Sequence, residues 1–178
     1  MTILIDNKKS ILKLILGLSL SSTILIVSYG LAISAIRHDA IIGQSFIDTE
    51  IPPPTYSPIY FKPATLLMIS SIILWYCIME VSKAEIRRLS NAARSLYFLA
   101  AFLLAAVTLY ELIYNFMLWS TILSSQSATS FNPDKATNAF PNDKYQVSLV
   151  FATKVGTTIL VCSLYSLYLL REKGERTN

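Results

Sequence analysis

Glu111 and Lys154 are the residues where chemistry is most expected. Each lies inside a long apolar run, where an ionised side chain costs roughly 2.5–3.5 kcal/mol on insertion scales. A group held at that cost is either neutralised by a partner or put to use. Measured from the nearer ends of their runs, Glu111 is about 12 residues in and Lys154 about 7, so at 1.5 Å per residue their backbones differ in depth by about 8 Å. A lysine stem covers much of that gap. Opposite charges buried together lose less than either alone, which makes an ion pair the simplest expectation. Side-chain direction opposes it, because helical side chains lean toward the N-terminus of their own helix and send Glu111 and Lys154 away from each other. Asn115, one turn beyond Glu111, is then an alternative partner for Lys154, and Tyr110, Tyr114 and Tyr145 can donate to the carboxylate. Glu111, Asn115 and Lys154 form the candidate site, with two roles open: a structural polar contact, or a path for a proton or substrate.

The rest of the inventory is poor in chemistry. His38 is the single histidine, so this chain alone cannot supply paired axial ligands to a haem or the histidine cluster of a copper or di-iron centre. It stands between Arg37 and Asp39, where an interfacial polar role and a ligand shared with another subunit both remain open. Cys77 and Cys162 occupy apolar runs without a C-x-x-C pair, which is not the pattern of a membrane thiol oxidoreductase. There is no Gly-rich phosphate loop, H-E-x-x-H pair or G-x-S-x-G elbow. The expectation is a chain with no catalytic residue, bound metal or cofactor of its own, and any copper would belong to partner subunits.

The elements that must position these residues are legible in the hydropathy. A 53% hydrophobic fraction, mean hydropathy of +0.52 and only 15% charged residues suit a chain whose solvent is lipid. Four apolar runs, at about 11–36, 63–81, 95–123 and 147–170, reach the roughly 20 residues a helix needs to cross the hydrocarbon. The runs are continuous rather than alternating, and four strands could not close a barrel in lipid. The fold class expected is therefore all-α, a single domain of four transmembrane helices over residues 1–178. The first run resembles a secretory signal in its flanking Lys8, Lys9 and Lys13, but its apolar stretch is too long, and a permanent helix is expected. That helix is rich in small and hydroxylated residues, among them Gly17, Ser19, Ser21, Ser22, Thr23, Ser28, Gly30 and Ser34, pointing several ways. Such faces permit close helix contact, either within the bundle or against another subunit.

Charge orients the bundle, because Lys and Arg are retained on the cytoplasmic side. Ten flank the start, the 82–94 connection and the end (Lys8, Lys9, Lys13, Lys83, Arg87, Arg88, Arg94, Arg171, Lys173, Arg176). Only Arg37, Lys62, Lys135 and Lys144 belong to the other two connections. Both termini are thus expected in the cytoplasm and the chain in the plasma membrane. The net charge of +4 reports topology and no nucleic-acid partner, since the basic residues border helix ends. Between the first two helices, Ile51 to Phe61 carries Pro52, Pro53, Pro54 and Pro58, a stiff extended segment that can lie on a neighbouring protein or on its own bundle. Residues 124–146 are polar, with Asn132-Pro133-Asp134 and Phe140-Pro141-Asn142-Asp143 as turn signals.

At Tyr110-Glu111-Leu112-Ile113-Tyr114-Asn115-Phe116-Met117-Leu118-Trp119, and from Phe140-Pro141-Asn142 to Val150-Phe151-Ala152-Thr153-Lys154, the chain resembles small four-helix membrane proteins of ammonia-oxidising archaea. The resemblance covers helices three and four, about a third of the chain. It implies an accessory subunit of the archaeal ammonia monooxygenase, a copper membrane enzyme whose catalytic ligands belong to other subunits. Expected partners are other integral membrane subunits and the lipid bilayer. Two other functions stay open: a small proton-coupled transporter or channel using Glu111 and Lys154, and a small subunit of a respiratory oxidase.

Overall fold

A computed structural model describes residues 2–37, 45–48, 62–127 and 143–171. His38, the Pro-rich segment 51–61, Lys135 and the 128–142 turn signals lie outside the described residues. The described residues form six helices: α1 (Thr2–Arg37), α2 (Ser45–Asp48), α3 (Pro63–Val81), α4 (Lys83–Ile86), α5 (Asn91–Ser127) and α6 (Asp143–Arg171). No strand occurs among the described residues. Among the described residues four helices are long and apolar enough to cross a membrane, through Ser10–Arg37, Pro63–Val81, Asn91–Thr121 and Leu149–Arg171.

Local sequence explains the boundaries. Pro63 opens α3 at a position where its missing N–H would have no helical partner, and Lys62 before it is extended (φ −80°, ψ 138°). The chain leaves α3 at Ser82, whose N–H donates to the Ile78 carbonyl at 2.9 Å and whose own carbonyl accepts from Glu85 and Ile86 at 2.9 Å. Ser90 caps α5, its hydroxyl oxygen accepting from the Ala93 N–H at 3.2 Å. Inside the spans, Thr23, Thr108, Thr153, Thr157, Thr158 and Ser166 each donate to the carbonyl four residues back, which satisfies the hydroxyl in an apolar setting.

The four long helices pack as a row. α1 lies on α3, α3 on α6 and α6 on α5, while α1 and α5 share no extensive packing and form the two edges. The short α2 closes one end, with Phe46 and Ile47 buried beside Ala64 and against Ile26, Leu67 and Val150. Gly30 of α1 is what admits it, because a Cβ there would overlap the Phe46 ring. Small residues also bring α5 and α6 together. A Cβ on Gly156 would stand 3.2 Å from Leu112, and Ala105, Thr108 and Asn115 are buried on the same stripe of α5. Outside this seam α5 presents apolar side chains, with Leu96, Val107, Tyr110 and Phe116 all more than half exposed.

The small residues of α1 divide between two directions. Ser19, Gly30 and Ser34 are buried within the chain, and Thr23 donates to Ser70 of α3 at 3.1 Å. Gly17, Ser21 and Ser28 are exposed on the other side.

Candidate functional site

Lys154 does not pair with Glu111. Its Nζ donates to Thr65 Oγ1 at 2.6 Å, across to α3 and not to α5. The reason is azimuth. Gly156 marks the side of α6 that meets α5, and two residues at about 100° each put Lys154 about 200° round from it. The lean toward the helix N-terminus then carries the ammonium to the end of the bundle where α3 starts, two residues from Pro63. Lys154 thus snorkels along its apolar stem toward the boundary.

Glu111 and Asn115 stay on α5 and separate there. Asn115 is buried in the seam with α6, at 9% exposure, and makes no side-chain hydrogen bond among the described residues. Glu111 lies about 40° round from it and is exposed, with neither an ion pair nor a hydrogen bond among the described residues. Tyr110 and Tyr114, expected as donors to the carboxylate, are themselves exposed beside it at 68% and 53%. The Tyr145 side chain lies outside what is described. The structure therefore places the three residues in three settings: Lys154 against α3, Asn115 in a seam, and Glu111 on the open side of an edge helix.

A second polar group, not anticipated from sequence, sits at the opposite end of α3. Tyr165 Oη of α6 donates to Glu80 Oε1 at 2.6 Å, and Lys83 Nζ stands 3.7 Å from the same oxygen. Tyr76 and Tyr168 flank the Tyr165 ring at 5.0 and 6.3 Å between centroids. Nearby, Trp75 Nε1 donates to the Cys162 carbonyl and to Ser166 Oγ, both at 3.1 Å. Arg94 closes this end by donating from Nε to the Leu170 carbonyl at 2.7 Å, with an Nη on the same oxygen. That neutralises an orphan carbonyl at the C-terminus of α6 with a cation. The sequence signal available for this cluster was the i, i+3 pair Glu80 and Lys83 at a span end.

The bonds of Lys154 to Thr65, Tyr165 to Glu80, Trp75 to Ser166 and Arg94 to Leu170 each tie two neighbouring helices of the row. None of the hydrogen bonds among the described residues joins the Lys154 end to the Glu80 end, which are about 16 Å apart along α6. Cys77 is fully buried and Cys162 half-buried, both as free thiols. No three of His, Cys, Asp and Glu converge among the described residues. The arrangement can hold helices together and can offer a carboxylate sideways, from α5, to whatever stands beside it.

Grooves line the row among the described residues. One, of about 580 Å³, lies between α1 and α3. Another, of about 670 Å³, is a trough between α3 and α5 floored by α6. No known protein family, curated protein or solved structure matches this chain.

Proposed function

We propose that this chain is a non-catalytic accessory subunit of a larger membrane enzyme, with both termini in the cytoplasm of a cell whose plasma membrane it crosses four times. One observation carries the reading: Glu111 stands within an apolar span, exposed on the flank of an edge helix, with no partner among the described residues. Ionisable side chains in membrane helices face a bundle interior or a watery cavity and pair there. A carboxylate that does neither within one chain is completed by another, through a donor or cation on a neighbouring subunit's helix. The exposed Gly17, Ser21 and Ser28 of α1 offer a second close-packing face at the opposite edge of the row. The resemblance of helices three and four supports a copper membrane monooxygenase of the archaeal ammonia-oxidising kind as the enzyme served.

A proton-coupled transporter or channel needs its acid on a path through the chain, whereas Glu111 is exposed at the side of an edge helix and lines neither groove described above. A respiratory oxidase would use the same exposed carboxylate, so the two enzyme readings are separated by composition. The test is gentle solubilisation of the tagged chain from its native membrane, followed by mass spectrometry and by metal and haem analysis. Recovery with larger membrane subunits and copper is the expected result, and haem would redirect the assignment to an oxidase. Glu111→Leu should reduce co-recovery at least tenfold while leaving the isolated chain's thermal stability unchanged, tenfold corresponding to about 1.4 kcal/mol. Recovery of the parent only as a monomer or homo-oligomer would overturn the proposal, as would proton-driven flux by the purified chain in proteoliposomes.

A further inference from the structure

Ser163 differs from the other small hydroxyls of its helix. Thr153, Thr157, Thr158 and Ser166 each donate to the carbonyl four residues back and so spend their hydrogen inside α6. Ser163 is only 4% exposed and makes no hydrogen bond among the described residues. Leaving a buried hydroxyl unpaired is costly, and more so in an apolar span where water cannot serve it. Its place says where a partner would come from. Ser163 lies on the stripe of Ile159, Ser163, Ser166 and Leu170, the side of α6 that floors the trough between α3 and α5. Ser166 is already engaged by Trp75 and Thr158 by its own helix, so Ser163 is the hydroxyl left over on that floor.

The walls say what shape of guest fits. At about 670 Å³ the trough has the size of a small-molecule site, and sites between helices are mostly apolar, with a few polar groups that fix orientation. One wall is the Trp75 indole, held in place because its N–H is tied to the Cys162 carbonyl and to Ser166 Oγ. The other wall is Ala100 and Ala101, whose small side chains leave room for a flat group beside the indole. Depth says what charge the guest carries. Ser163 is seven residues from Leu170 at the mouth, about 10 Å inside, where a charged head would lose its water without compensation. The one charged residue lining the trough is Glu85, at the mouth, and no cation lines it. The head is therefore uncharged and presents an oxygen that accepts from Ser163, while Ile159 and Leu104 offer only apolar surface to a tail. Membrane quinones combine a planar ring, uncharged carbonyls and a hydrocarbon tail. We propose that this trough binds a lipophilic quinone from the bilayer, its ring between Trp75 and the two alanines and one carbonyl accepting the Ser163 hydrogen. The proposal does not depend on which enzyme is served.

Trp75 reports on the site, because a quinone in contact with an indole quenches its fluorescence. The protein has two tryptophans, so Trp119→Phe leaves Trp75 as the single fluorophore, and Trp75→Phe leaves Trp119 as the measure of chance collisions in the bilayer. Each variant is placed in phosphatidylcholine nanodiscs and titrated with decylubiquinone, a benzoquinone on a saturated chain. The expected result is quenching of Trp75 that saturates at a single site, while quenching of Trp119 stays proportional to the quinone added. In the Trp75 background, Ser163→Ala should weaken binding about three- to tenfold, as expected for one side-chain hydrogen bond within a membrane. An arene with the same chain but no carbonyls should compete more weakly than the quinone, and equally well with or without Ser163→Ala. Ala101→Phe, which fills the slot beside the indole, should abolish saturation; if that variant does not fold by circular dichroism, the Ser163→Ala and arene comparisons decide alone. Quenching of Trp75 that rises without saturating would overturn the proposal. So would binding as tight in Ser163→Ala as in the parent, or native mass spectrometry of the unaltered chain in which a phospholipid or a second copy of the chain is retained in place of the added quinone.

Discussion

Thr65→Val removes the one hydrogen-bond acceptor that Lys154 has among the described residues while keeping the shape of the α3–α6 contact, so it isolates the worth of that bond. Hydrogen bonds to a charged group contribute about 1.5–3 kcal/mol in soluble proteins, but side-chain bonds between membrane helices average about 0.6 and reach about 1.7 kcal/mol. Lys154 is only half-buried and its ammonium lies near the start of α3, where water and headgroups can replace part of what is lost. The membrane figures are therefore the relevant ones. At about 2–4 °C per kcal/mol for a chain of this size, Thr65→Val should lower the unfolding midpoint by about 1–7 °C. Lys154→Met loses the same bond but also removes an ammonium that is costly to hold in an apolar span, so it should stay within about 0.5 kcal/mol of the parent. The assay is thermal unfolding of purified variants in lipid nanodiscs, followed by circular dichroism. A larger loss for Lys154→Met than for Thr65→Val would refute the reasoning, because it would mean that the charge is held by a further partner inside the bundle.

Two other changes test the remaining contacts. Tyr165→Phe deletes the donor to Glu80 and should cost about 1–2 kcal/mol, whereas Tyr168→Phe, whose exposed ring lies 6.3 Å from the Tyr165 ring, should cost little; equal losses in the same unfolding assay would show that the bond to Glu80 is not what matters. Gly30→Val should expel Phe46 from its seat on α1 and lower stability by about 1–3 kcal/mol, with Phe46→Ala added to the same chain recovering part of the loss; a double variant no better than Gly30→Val alone would argue against this contact as the source of the strain.

The four spans were legible because apolar runs long enough for lipid leave few alternatives. Their ends were less so. α5 begins at Asn91, four residues before the apolar run, since Ser90 caps it, and α1 reaches back to Thr2 through polar residues that hydropathy discounts. Depth arithmetic placed Glu111 and Lys154 at similar levels but said nothing about rotation, and rotation is what turns Lys154 to α3. The side-chain lean that argued against the ion pair was the better guide. The Glu80–Tyr165 contact joins residues 85 apart in sequence, and the order of helices in the row is set by side-chain fit that no periodicity in one chain encodes.

That order has a consequence for how the protein is made. α1 and α3 emerge in succession and can pair at once, but α5, the third span to leave the ribosome, has no extensive contact with either. Its surface of contact is α6, which is synthesised last and must enter between α3 and α5. Until then α5 waits in the bilayer or in the insertion machinery with its seam uncovered as well as Glu111, which stays exposed even after α6 has docked. The final span is the keystone of the row, and a nascent chain stalled before it would leave a two-helix hairpin beside a solitary, acid-bearing helix for quality control to find.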